Sequence, residues 1–287
     1  GDYCFELQAA EANRFTTGKD AKINYAYHLD AGRYARFLRE LAEPTGVKRI
    51  EGRIALVEQH PETGYITALG LEWGERDEGD LFIDCTGFRA LLIGKALGAE
   101  FEDWGEWLPT DSALAVQTRS VGSAIPYTRA IAHEAGWQCR IPLQHRVGNG
   151  LVFASDHLSE DEARTHLAAS VEGEMIAEPR LIRYRTGRRR DVWRKNCLAM
   201  GLSSGFVEPL ESTSIHLVKI AVTRLIQAFP FGGISEAVIN RFNRQSRREL
   251  EGVRDFIILH YHLTERDDSD FWRRCRDMKV PDSLAER

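Results

Sequence analysis

Residues 201–217, GLSSGFVEPLESTSIHL, constrain the fold more than any other stretch of this chain. The apolar run Cys197-Leu198-Ala199-Met200 before them reads as a buried strand, and an amphipathic helix pattern follows from about residue 213 to 229. Between the two stand small residues, one proline, two glutamates and three hydroxyls after Pro209. A strand that breaks into a Gly/Ser turn and then opens a helix presents backbone N–H groups at the helix start. Such donors suit an anion or the electron-rich edge of a cofactor. Glu211, Ser212 or Thr213 could equally act as an ordinary helix cap, and the local chemistry balances the two readings.

The rest of the chain supplies a sheet for that turn. Residues 25–42 start extended and turn helical after Asp30, a natural N-cap, with Tyr34, Phe37, Leu38 and Leu41 at helical spacing. Residues 47–59 and 65–73, joined by the turn Pro61-Glu62-Thr63-Gly64, read as a hairpin. Residues 80–87, DLFIDCTG, form a buried parallel-type strand that runs into a small-residue turn, and a helix-like run follows at Ala90, Leu91, Leu92, Ala96 and Leu97. Open α/β sheets place ligands at such turns, although a plain strand–helix turn is the simpler reading. Short strands are expected over 112–118, 128–133, 136–142 and 148–154. A helix is expected over 159–174, with Glu160, Asp161 and Glu162 in its favoured first turn. Arg183, Arg185, Arg188, Arg189 and Arg190 read as one solvated face, with a phosphate-facing role for one of them as the sharper option. Helices over 213–229, 235–250 and 251–259 fill the last third. The expected class is therefore α/β: a sheet-bearing part over 1–212 and a helical part over 213–287, folded as one integrated unit. The opening Gly1-Asp2-Tyr3-Cys4, without an initiator Met, reads as the middle of a protein with a segment upstream.

Composition excludes several functions. A net charge of −5 with 28% charged residues does not suit a nucleic-acid partner. Cys4, Cys85, Cys139, Cys197 and Cys275 are widely spaced and form no CxxC, which points to neither zinc nor a disulfide framework but to a reduced, cytoplasmic protein. No apolar run reaches membrane-spanning length, so no membrane partner is expected. No GxGxxG follows a strand, since Gly148-Asn149-Gly150 lacks the third glycine and the helix. Walker, HExxH and GxSxG motifs are absent, and the nine histidines show no ligand spacing, so no metal is expected. Trp272, beside Phe271 and preceded by Tyr261 and His262, could wall a pocket for a flat aromatic ligand.

These pieces, in order and almost end to end, resemble the flavin-dependent tryptophan halogenases. The carriers are YAYHLDAGRYARFL, DLFIDCTGFRALLI, GWQCRIP (similar to a Trp-x-Trp-x-Ile-Pro signature), NCLAMGLSSGFVEPLESTSI and HYHLTERDDSDFW. The Gly-Leu-Ser-Ser to Leu-Glu-Ser-Thr stretch is the most specific. The resemblance implies a flavin-monooxygenase-like mixed sheet with a helical substrate region. It implies FAD, reduced by a separate flavin reductase, whose hydroperoxide oxidises chloride or bromide to hypohalous acid that halogenates tryptophan or another indole-type aromatic. It places Gly201, Leu202, Ser203, Pro209, Trp137, Ile141 and Pro142 on the cofactor, Thr213 and Ser214 at the halide, and Glu211 beside the substrate as polariser or base. Tyr261, His262, Phe271 and Trp272 would line the substrate pocket. The family's GxGxxG and catalytic Lys have no counterpart here, Lys22, Lys48 and Lys95 standing in other settings, so the chain as given is expected to be inactive alone. Cys139 stands where the second Trp belongs, and Ser214 where Gly is usual. A flavin hydroxylase on the same scaffold and a non-catalytic indole-binding relative stay open, as does a homodimer.

Overall fold

The computed structural model describes residues 4–18 and 23–286; the opening Gly1-Asp2-Tyr3 and Lys22 lie outside them. In chain order, helices α1 (Phe5–Glu11) and α2 (Ala31–Ala42) precede strands β1 (Ile54–Gln59), β2 (Ile66–Leu71), β3 (Arg76–Glu78), β4 (Phe82–Asp84) and β5 (Phe101–Asp103). Strands β6 (Ser112–Thr118), β7 (Arg129–His133), β8 (Gly136–Pro142) and β9 (Val147–Phe153) lead to helix α3 (Glu160–Ser170) and strand β10 (Arg180–Arg183). The short strands β11 (Gly187–Arg189), β12 (Trp193–Arg194), β13 (Cys197–Ala199) and β14 (Gly205–Phe206) follow. Helices α4 (Thr213–Gln227), α5 (Glu236–His262), α6 (Asp270–Asp277) and α7 (Asp282–Ala285) come last. No helix among the described residues is long and apolar enough to cross a membrane.

The chain forms two compact units by its contacts: Gly1–Ile50 with Asp111–Arg183, and Glu51–Thr110 with Tyr184–Arg287. The first unit holds an antiparallel sheet in the order β10-β6-β9-β8-β7. Alternation decides its faces: Leu114 and Val116 of β6 and Leu151 and Phe153 of β9 turn inward onto Ala163 and Leu167 of α3. Helix α3 starts with a capping box, in which Ser159 Oγ accepts from Glu162 N and Glu162 Oε2 accepts from Ser159 N at 3.0 Å. It stops at Ser170, short of the expected 174. Beyond it the backbone of Gly173 has φ +83°, and a Cβ there would meet Arg119 O at 2.4 Å. Asp30 caps α2 by accepting from Arg33 N at 3.1 Å. That bond, with Arg146 Nη2 at 2.8 Å, holds its carboxyl down to about 2. Tyr34, Phe37, Leu38 and Leu41 keep their helical spacing but lie exposed on α2.

The second unit contains three three-stranded sheets, β1-β2-β3, β14-β11-β5 and β12-β13-β4. The expected hairpin is the antiparallel pair β1/β2. Strands β4 and β13 run parallel, pairing Cys197 with Phe82 and Ala199 with Asp84. Leu92, Ile93 and Leu97 from the run after β4 pack on Phe82, Cys197 and Ala199 as one buried core. That run is a π-helical segment over Leu91–Ala96. A second core joins Trp193, Leu198 and Met200 to Phe242 of α5. Asn243 seals this junction, its side chain accepting from Trp193 N at 2.8 Å and donating to Trp193 O at 2.9 Å.

Two expectations fail in this unit. The helices expected over 235–250 and 251–259 are one 27-residue helix, α5. Gly252 does not break it, because a mid-helix glycine costs only about 1 kcal/mol and the flanking Leu250, Ile257 and Ile258 are buried. The arginine run is not one solvated face. Arg183, Arg185 and Arg190 are exposed, but the Arg188 side chain is 2% exposed and pairs with Glu102 at 2.8 Å and Glu251 at 3.2 Å. Strand pairing sets Arg188 opposite Glu102, so its charge is neutralised inside the fold.

Candidate functional site

The parallel strands β4 and β13 end side by side, and each runs into a small-residue turn. Asp84, fully buried, ties the two turns together. Its Oδ1 accepts from Thr86 N (2.9 Å), Thr86 Oγ1 (2.7 Å) and Ser203 Oγ (3.2 Å). Its Oδ2 accepts from Leu92 N (3.0 Å) and Ile93 N (2.8 Å), which absorbs the donors at the start of the π-helical segment. Met200 N adds a bond to Asp84 O at 3.0 Å. Gly87 (φ +71°) and Gly201 (φ +63°) let both turns bend through left-handed backbone. A Cβ on Gly87 would meet nothing within 4 Å, so open space adjoins that turn, and Phe88 and Leu202 lie exposed beside it. Ser203, by contrast, is buried by its bonds to Asp84 and Gly87 O.

Helix α4 packs back on the second turn: its Val218 Cγ2 lies 3.6 Å from where a Gly201 Cβ would stand. The segment that enters α4 is unusual in its backbone. Glu208 (φ +71°), Glu211 (φ +64°) and Ser212 (φ +53°) are all left-handed without being glycine. Each such residue costs of order 1–3 kcal/mol unless its surroundings impose it. Ser212 occupies the N-cap of α4 yet its side chain accepts none of the helix N–H groups, so the expected capping role is not taken up. Thr213 is half-buried and Ser214 exposed at this uncapped start.

The two glutamates of the segment have opposite settings. Glu208 is 1% exposed; its carboxylate accepts from Thr110 Oγ1 at 2.6 Å and from Tyr261 OH at 2.9 and 3.0 Å. Tyr184 OH donates in turn to Thr110 Oγ1 at 2.9 Å. Burial first, and then the charge of Glu208, push the Tyr261 phenol well above its ordinary value. Glu211 is exposed, with Oε1 3.4 Å from His260 Nε2. His260 Nδ1 lies 2.9 Å from Phe256 O, which orients the ring.

The structure gathers Gly201, Leu202 and Ser203 against the Asp84 turn, and gathers Tyr261, Phe271 and Trp272 into one aromatic cluster. Tyr261 stacks on Trp272 at 5.9 Å, and Phe271 meets Trp272 edge-on at 5.1 Å. These three are buried by each other and by the rest of their unit, while Arg266 lies 5.2 Å over the Trp272 ring. His262 is half-buried, and its Nδ1 has no hydrogen-bond partner. Trp137, Ile141 and Pro142 belong to β8 of the first unit, where Trp137 and Pro142 are buried and Ile141 half-buried. Cys139 lies between them facing Gly150, whose added Cβ would stand 3.0 Å from the sulfur. Sequence reasoning missed Asp84, Glu208, Thr110 and Tyr184. Of these only Asp84 carried a signal, as the polar end of an apolar strand.

Comparison with known proteins places the chain as a whole in a family. A family model described as tryptophan halogenase covers residues 1–287. The chain is 40% identical over 267 residues to tryptophan 6-halogenase SttH of Streptomyces toxytricini, covering 92% of this chain and 51% of that protein. It is 41% identical over 284 residues to 7-chloro-L-tryptophan 6-halogenase KtzR of Kutzneria sp. (strain 744), covering 96% and 54%. Among solved structures it superimposes on Xcc4156, a flavin-dependent halogenase from Xanthomonas campestris, with a TM-score of 0.97 and 54% identity, over 100% of this chain and 58% of that one. BrvH, a flavin-dependent halogenase from Brevundimonas sp. BAL3, gives a TM-score of 0.93 and 50% identity over 96% and 58%. The chain spans about half the length of the curated relatives it matches. With the whole chain matched by the family model and its mixed α/β fold shared with these flavin-dependent enzymes, this protein belongs to the tryptophan halogenase family.

Proposed function

We propose that this chain forms the halide- and substrate-facing part of an FAD-dependent halogenase acting on tryptophan or another indole-type aromatic. One observation carries the reading: a left-handed turn exposes Glu211 at the uncapped start of α4, and α4 packs on a Gly/Ser turn edged by apolar side chains. The open space at Gly87, with exposed Phe88 and Leu202 beside it, fits a flat and partly apolar cofactor. Gly201, Leu202, Ser203 and Pro209 would hold FAD. FAD, reduced by a separate flavin reductase, supplies with oxygen the oxidising equivalents that convert chloride or bromide to hypohalous acid.

The chain's own residues do the rest. Uncapped N–H groups at Thr213 and Ser214 favour an anion, helped by the helix dipole, and so hold the halide. Glu211 accepts the proton from the ring carbon once the carbon–halogen bond has formed and the halogen–oxygen bond has broken, and passes it to the freed hydroxide, which leaves as water. Half-buried His262 would border the aromatic site, with Tyr261, Phe271 and Trp272, from the α5 end and the α6 start, packed behind it. The test supplies the whole protein with FAD, a flavin reductase, NADH, oxygen and bromide or chloride, and analyses tryptophan and indole products by mass spectrometry. A halogen isotope pattern on the product is expected. Hydroxylated product without halogenated product would sink the reading.

A further inference from the structure

The structure points to Glu208 as the residue that positions Glu211, holding it through the shared left-handed turn from a buried hydroxyl clamp; we infer this on the reading of Glu211 given above. Three observations converge. Glu208 is buried, yet its carboxylate accepts from Thr110 and Tyr261, so hydroxyls from two separate parts of the chain grip it and Tyr184, from a third, holds Thr110 in place. Glu208, Glu211 and Ser212 share the left-handed backbone, which Pro209 stiffens between them. Such a conformation persists only where the surroundings over-determine it, and the clamp supplies that.

The third observation is the geometry of α5. Its consecutive residues His260 and Tyr261 reach the two glutamates separately: Tyr261 OH binds buried Glu208, and His260 Nε2 faces exposed Glu211. One helix end therefore fixes both ends of the Glu-Pro-Leu-Glu segment. Releasing Glu208 frees the turn and displaces the Glu211 carboxylate, although no group at Glu208 itself reaches the exposed surface where chemistry would occur. A displacement of about 1 Å at a reacting group is enough to cost about 100-fold in rate.

The test is a cycle of Glu208→Gln, Glu211→Gln and the double variant in the whole protein, with Tyr261→Phe as a second probe of the clamp that preserves packing. Glu208→Gln is expected to lower kcat about 10- to 100-fold, with the KM for the aromatic substrate within about twofold. In the Glu211→Gln background the same substitution should change kcat less than about twofold, because there is no longer a carboxylate to misplace. Crystal structures supply a readout independent of turnover: in Glu208→Gln or Tyr261→Phe, residue 211 should move more than about 4 Å from His260 Nε2. If Glu208→Gln does not fold, Tyr261→Phe carries the same cycle. Equal losses from the clamp variant in both backgrounds, or an unmoved Glu211, overturn the positioning role. A Glu211→Gln protein that halogenates at the unsubstituted rate instead overturns the reading on which this rests.

Discussion

Around Asp84 five donors converge on one buried carboxylate, and the two turns they join expose Cys85, Phe88, Arg89 and Leu202 but no acid. Around Glu211, eight residues beyond Ser203, a left-handed turn ends in an exposed carboxylate facing one imidazole. Both regions sit at the ends of regular elements in the same unit, and both are centred on an acid. The first is saturated: each donor has a fixed acceptor, so the acid serves as an anchor. The second leaves the α4 start uncapped and its acid accessible, which a stability requirement alone would not produce. The contrast separates a scaffold from a working surface, with Glu208 as the link.

Substitutions can break this contrast. The largest effect on stability is expected at Asp84→Ala. It leaves the buried N–H groups of Leu92 and Ile93 without an acceptor and unties Ser203, and should cost about 3–5 kcal/mol in urea unfolding. Tyr261→Phe removes one bond to a buried carboxylate and should cost about 1–3 kcal/mol at neutral pH. It should also change the pH response. The Tyr261 phenol is raised in the folded state, so the neutral form is favoured by folding; its contribution is full below about pH 10 and is lost as pH rises beyond it. Urea midpoints measured from about pH 9 to 11 should therefore fall more steeply for the unsubstituted protein than for Tyr261→Phe. The smallest effect is expected at His260→Gln: a half-exposed side-chain contact contributes under about 1 kcal/mol, so a larger drop in unfolding free energy would contradict its assignment to the working surface.

Local chemistry carried much of this fold. Strand β4 was legible because an apolar run ends in Asp-Cys-Thr-Gly, and α4 because Pro209 and a cluster of hydroxyls announce a helix start. The capped starts of α2 and α3 follow from Asp30 and Ser159. What escaped depends on distant partners. Arg188 reads as a surface charge until Glu102 and Glu251, 86 and 63 residues away, close around it. Glu208 looks like any polar turn residue until Thr110 and Tyr261, 98 and 53 residues away, bury it. The left-handed φ of Glu208, Glu211 and Ser212 has no local signature, because only tertiary contacts make that conformation hold for non-glycine residues. The helices expected over 235–250 and 251–259 erred in the other direction, dividing what the packing of α5 holds as one element.

The central claim is that Glu211 works while its neighbours hold. Its most direct test is the rate of bromide-dependent halogenation by the whole protein carrying Glu211→Gln, read beside its urea unfolding midpoint. The account predicts a kcat lower by about 100-fold or more, with unfolding free energy within about 0.5 kcal/mol of the unsubstituted protein. Halogenation at the unsubstituted rate, or a loss of rate matched by a loss of folding, would contradict it.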